Sequence, residues 1–127
     1  MTALLEAATG AALIAAPSVP VALLLGVSLN TLGGLALARV AGAALLSLGL
    51  ACWLARRDGQ SRPGRAVVAA MLVYDIAVVA VLAHAKLGLG ATGIGLWPAV
   101  VLHAALAVWC MACLRPVNPS GSERTQP

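Results

Sequence analysis

Three stretches of the chain are almost unbroken in apolar residues: Leu35 to Ala55, Ala66 to Ala85 and Trp97 to Leu114. A fourth, Met1 to Gly26, is interrupted by Pro17 and Pro20. Runs of about 18 to 21 residues, rising about 1.5 Å each, reach roughly 27 to 32 Å, which matches a hydrocarbon layer of ~30 Å. The pattern predicts an all-α membrane protein, a four-helix transmembrane bundle forming one domain over 1–114. Its spans are expected at 2–26, 35–55, 66–85 and 97–114, with the first helix broken or kinked at Pro17/Pro20. Polar and small residues mark the breaks. Asn30, Gly33 and Gly34 precede the second span, and Asp58, Gly59, Pro63 and Gly64 separate the second from the third. Gly88, Gly90, Gly93 and Gly95 fill the last connection. Trp97-Pro98 restarts the helix with proline in its first turn, where a missing N–H has no partner to lose.

The first run is open to two readings. Pro17 and Pro20 each remove a donor and disfavour helix at the residue before, so Thr2 to Ala16 should end there and Val21 to Gly26 should form a second piece. Either the two pieces make one kinked span or the second lies in the outer interface. Fifteen residues alone reach only about 22 Å, which favours the kinked span. The run lacks the basic amino-terminal region of a signal peptide.

Composition sharpens the membrane reading. Hydrophobic residues are 61% of the chain and charged residues 9%, which excludes an ordinary water-soluble domain. The net charge of +4 does not point to nucleic acid, because the basic residues flank helices instead of forming a patch with stacking aromatics. Arg56, Arg57, Arg62 and Arg65 crowd one short connection against Asp58, and short arginine-rich loops stay in the cytoplasm. Counting outward places both termini inside a bacterial inner membrane. Trp53 and Trp109 then fall at the inner interface and Trp97 at the outer one, where indoles prefer to sit. Residues 115–127, rich in Pro, Ser and charge, are expected to be a disordered cytoplasmic tail.

Ionisable groups inside the spans are the candidates for chemistry, since each costs about 2.5 to 3.5 kcal/mol at a helix centre. Asp75 should lie ~13.5 Å from the inner end of its span, with His103 ~9 Å and Arg39 ~6 Å below the outer surface. Along the last span Ala99, His103, Ala107 and Cys110 share a stripe, and along the second Arg39 shares one with Gly42, Leu46 and Gly49. A polar cluster follows, with Arg39 reaching towards Asp75 and with His103 and the Tyr74 hydroxyl as further partners in ligand or proton binding. The bland alternative is that Arg39 snorkels to headgroups and Asp75 merely hydrogen-bonds a neighbouring helix. Glu6 is expected at the inner interface. Cys52, Cys110 and Cys113 sit near the inner end, and Cys110-Met-Ala-Cys113 with Cys52 could supply soft-metal ligands. Against that, cysteine is also a small packing residue, and this motif lies late in a helix, away from the end that lowers thiol pKa. His84 and His103 fall at different depths, so a shared haem is not expected. No nucleotide loop, catalytic triad or zinc-protease motif occurs, and no cofactor is expected. Small residues are frequent. Ala38 with Gly42 and Ser47 with Ala51 fit the spacing of close helix packing, within the bundle or across a dimer.

The stretches Ala38-Arg39-Val40-Ala41-Gly42, Trp53-Leu54-Ala55-Arg56, Val73-Tyr74-Asp75 and Gly95-Leu96-Trp97-Pro98 followed by His103 resemble a group of small bacterial four-helix inner-membrane proteins with no assigned activity. In that group Asn is more usual at the position of Asp75, so the resemblance implies a fold and no general proton-carrying role. The chain does not resemble the fluoride channels or the small multidrug transporters. Size then orders the functions. About 80 membrane residues leave little room for a private aqueous path, which favours an accessory subunit of a larger membrane complex or a binder of a small lipophilic partner. The alternative is a homodimeric, proton-linked carrier or channel using Asp75, and the third reading is a small metal, redox or enzymatic membrane protein.

Overall fold

The computed structural model describes residues 2–58 and 61–115. Among them are five helices and no strand: α1 (Thr2–Ala15), α2 (Ser18–Leu25), α3 (Leu32–Ala55), α4 (Arg62–Leu89) and α5 (Leu96–Leu114). The helices α3, α4 and α5 are long and apolar enough to cross a membrane. They reach about 36, 42 and 28 Å, so in a bilayer α3 and, more so, α4 would exceed the ~30 Å hydrocarbon thickness and would tilt or project into the headgroups. Gly59 and the expected tail beyond Arg115 lie outside the described residues.

The long helices start earlier than their apolar runs, and capping explains it. Thr31 Oγ1 accepts the Gly34 N–H at 3.1 Å, and Ser61 Oγ accepts the Gly64 N–H at 3.1 Å. Each satisfies a donor that the first turn leaves without a partner. Gly33, Gly34, Pro63 and Gly64 therefore belong to first turns and not to loops. At its far end α4 runs through Gly88 to Leu89 and stops at Gly90, whose φ of 69° is the left-handed conformation that ends helices without strain at glycine.

The first run breaks once, at Pro17, and the two pieces meet at 113°. Pro20, expected to share the break, is the third residue of α2, inside a first turn that tolerates proline. So large a bend is more than a kink: α2 leaves the line of α1, which alone reaches only about 21 Å. Backbone bonds hold α2 to the last connection. Gly95 N–H donates to the Leu23 carbonyl at 2.8 Å and Thr92 N–H to the Leu25 carbonyl at 3.2 Å, using acceptors that a helix end leaves free. A Cβ at Gly93 would collide with the Leu24 carbonyl, so glycine is required there.

Two antiparallel pairs, α1 with α3 and α4 with α5, carry most of the packing, and the pairs meet each other more sparsely. The first pair touches backbone to backbone. A Cβ added at Gly10 would come within 2.7 Å of the Gly42 carbonyl oxygen, and one at Gly49 within 2.9 Å of that of Ala3. Close approach thus occurs at Gly42 and Gly49, two turns apart, while Ser47 bonds the Ala43 carbonyl of its own helix at 3.0 Å. In the second pair, Arg65 Nη2 donates to the Leu114 carbonyl at 2.9 Å, joining the start of α4 to the end of α5.

Candidate functional site in the membrane core

Helix α4 buries one face, which runs through Gly64, Met71, Asp75, Leu82 and Ala85 at helical spacing. Asp75 is the only charged residue on it and sits at mid-helix, thirteen residues from Arg62 and fourteen from Leu89. The α5 stripe is as the spacing predicts, with Ala107 and Cys110 buried and Ala99 and His103 half-buried. His103 Nδ1 lies 2.8 Å from Asp75 Oδ1, a side-chain hydrogen bond across the pair, with 12% of the His103 side chain exposed and none of Asp75. The Tyr74 ring stands edge-on to the imidazole, centroids 5.7 Å apart.

The third member is Glu6. Donor atoms of Glu6, Asp75 and His103 all lie within 4.8 Å of one another, and Glu6 is only 2% exposed. This corrects the interfacial placement expected for it. Because Gly49 packs on Ala3 and Ala7, α1 begins level with the last two turns of α3, which carries Glu6 to the level of Asp75.

Arg39 does not join the cluster. Its Nε donates to the Ile14 carbonyl at 3.4 Å, near the end of α1, where a positive group meets the negative end of a helix dipole and an unpaired carbonyl. The expected contact with Asp75 is replaced by a cap on α1. His84 is exposed and packs against Gly88, away from His103. The cysteines are free thiols, Cys110 buried, Cys52 half-buried and Cys113 exposed. Among the described residues, the donors that converge on one point are the two carboxylates and the imidazole, not the thiols.

Comparison with protein-family models, curated proteins and solved structures gives no match to this chain. The chemistry must be read from the site itself.

Two oxygens decide that chemistry. Glu6 Oε1 and Asp75 Oδ2 are buried and have no hydrogen-bond partner. Among the described residues the one ion pair is His103 with Asp75, so a protonated imidazole could balance one carboxylate and no side chain balances the other. An unbalanced charge in this low-dielectric setting costs several kcal/mol. The arrangement is incomplete without a further positive charge, carried by a proton or a bound cation. A cavity of about 520 Å³ approaches it from the end at which α4 starts and α5 finishes. Thr2, Met71 and Leu106 line the cavity, each one helical turn from Glu6, Asp75 and His103 respectively. Its other walls include Cys52, Trp109 and Cys110, and Arg56 is at its rim.

Proposed function

We propose that the protein is a small carrier of the bacterial inner membrane in which Glu6, Asp75 and His103 bind a cation in exchange for protons. The observation that carries this reading is the pair of buried, unpartnered carboxylate oxygens on Glu6 and Asp75. Polar groups left unsatisfied in a membrane core are costly, and such residues mark ion and substrate paths. In this reading α1 is the first of four crossings, with α2 turned aside at its end, both termini are cytoplasmic, and residues 1–114 form one domain. The arginines of 56–65 support that orientation, as do Trp53 and Trp109 at one end and Trp97 at the other. The carrier works as a homodimer, because one chain of this size lines little of an aqueous path, and two-fold pairing is the commonest remedy. The resemblance to small bacterial four-helix proteins fits the same architecture.

The test is cation-evoked proton movement. Vesicles holding purified protein and an internal pH dye receive tetraphenylphosphonium or Mn²⁺ outside. At least one of the two is expected to drive proton movement in wild type, and Asp75→Asn is expected to abolish it at unchanged folded yield. Protein that moves no protons with either cation, or an unaffected Asp75→Asn variant, overturns the reading.

A second reading is favoured by the cavity. Its lining is mostly apolar and its volume of about 520 Å³ suits a small lipophilic partner, held by an accessory subunit with no transport of its own. Such a protein would co-purify with a larger complex or a lipophilic compound and would evoke no proton movement.

A further inference from the structure

We propose that Glu6, Asp75 and His103 are the protein ligands of a divalent first-row transition-metal ion held at the centre of the membrane domain. This rests on reading the cluster as a cation site and names the cation. Three helices, α1, α4 and α5, each deliver one donor, and the donor atoms lie within 4.8 Å of one another. Metal–ligand distances of about 2.1 Å put tetrahedral ligands about 3.4 Å apart, so the side chains must draw in by about an ångström. That is within reach of rotamer adjustment.

Charge selects the valence. Two ionised carboxylates and a neutral imidazole carry a formal charge of −2, and among the described residues no arginine or lysine pairs with either carboxylate. A divalent ion brings the site to neutrality, whereas a monovalent one leaves a net charge in a medium that penalises it. Filling the site from its fully protonated form, with both carboxyls and the imidazole neutral, releases two protons for each divalent ion, so the exchange is electroneutral.

The donor set selects the metal class. Two oxygens and one imidazole nitrogen suit Mn²⁺, Fe²⁺ or Zn²⁺. Ca²⁺ takes six to eight oxygens and Mg²⁺ keeps most of its water, and neither demand is met here. Glu6 Oε1 and Asp75 Oδ2 are free to accept the ion, and His103 Nδ1 now shares a proton with Asp75 Oδ1 that the ion would displace. Space argues against a molecular ligand among the three side chains. The cavity is lined one turn away, by Thr2, Met71 and Leu106, and by none of the three donors. It is an approach to the site, and the gap between the donors is ion-sized.

The experiment is direct titration. Full-length protein purified in detergent and stripped with a chelator is titrated with Mn²⁺, free Mn²⁺ being followed by electron paramagnetic resonance. One ion per chain is expected, with nitrogen coupling from His103 in the bound-Mn²⁺ spectrum. Glu6→Gln, Asp75→Asn and His103→Gln should each weaken binding by at least about tenfold while remaining monodisperse and helical. His103→Gln should also remove the nitrogen coupling. A protein with Cys52, Cys110 and Cys113 all changed to Ser should bind as wild type does. The proposal is overturned by absence of saturable Mn²⁺ and Zn²⁺ binding, by equal binding of Mg²⁺ or Ca²⁺, or by loss of binding in the triple Ser variant. If metal binding is absent while tetraphenylphosphonium still evokes proton movement, the metal assignment falls and the carrier reading stands.

Discussion

Asp75 and Glu6 are both buried carboxylates, yet their local situations differ. Asp75 has a partner, His103 Nδ1 at 2.8 Å, and one free oxygen, while no side chain supplies Glu6 with a counter-charge. Breaking a buried ion pair by removing one partner costs about 3 to 5 kcal/mol, whereas a buried oxygen with no hydrogen-bond partner carries a desolvation cost of about 1 to 3 kcal/mol that an apolar replacement removes. Glu6→Leu, which leaves the Asp75–His103 bond in place, should therefore melt at the same temperature as wild type or higher, by up to about 3 kcal/mol in stability. A clear drop in thermal stability would mean that Glu6 is a structural hydrogen-bonding residue, contrary to a role in cation binding. Much of this site could be read in the sequence. Asp75 near the middle of its span, Tyr74 beside it and His103 on the inward stripe of the last span were legible as candidates, and they come together. Glu6 and Arg39 could not be placed, because their level depends on how α1 slides along α3, which no single helix encodes.

That register is set by glycine. At the element scale α1 and α3 meet where Gly10, Gly42 and Gly49 remove side chains, and a Cβ at Gly42 would stand 2.7 Å from the Gly10 carbonyl oxygen. Backbone cannot yield as a flexible side chain can, so Gly42→Ala should destabilise the protein by about 1 to 3 kcal/mol, as overpacking usually does. Gly33 provides the control. It lies in the first turn of α3 with nothing within 4 Å of an added Cβ, so Gly33→Ala should be neutral or stabilising by up to about 1 kcal/mol. Chemical denaturation in detergent checks both, and equal effects would remove the close packing from the account. The three long helices were legible because about 20 apolar residues have few alternatives to crossing a bilayer. Their ends were less so. Thr31 and Ser61 extend α3 and α4 into polar sequence through hydrogen bonds that hydropathy does not register. The 113° turn at Pro17 was legible as a break but not as an angle, because the partners of α2 are the backbone groups of Thr92 and Gly95, far along the chain.

For the whole molecule, the α1–α3 and α4–α5 pairs touch sparsely, and the Glu6–Asp75–His103 cluster spans the joint between them, with Glu6 on one side and Asp75 and His103 on the other. A charge that enters or leaves this cluster would change the attraction between the two halves, and the cavity occupies the same joint one turn away. In the proposed carrier, cation binding and the relative position of the pairs would therefore be linked, as alternating access requires. Everything in this account depends on the cluster exchanging protons for a cation. The most direct test is to count protons released when purified, chelator-stripped protein in weakly buffered detergent solution is saturated with Mn²⁺ or tetraphenylphosphonium, using a pH indicator. The account predicts release from wild type and none from the variant carrying Glu6→Gln and Asp75→Asn together. Wild-type protein that releases no protons with either cation, or a double variant that releases as many as wild type, would contradict it.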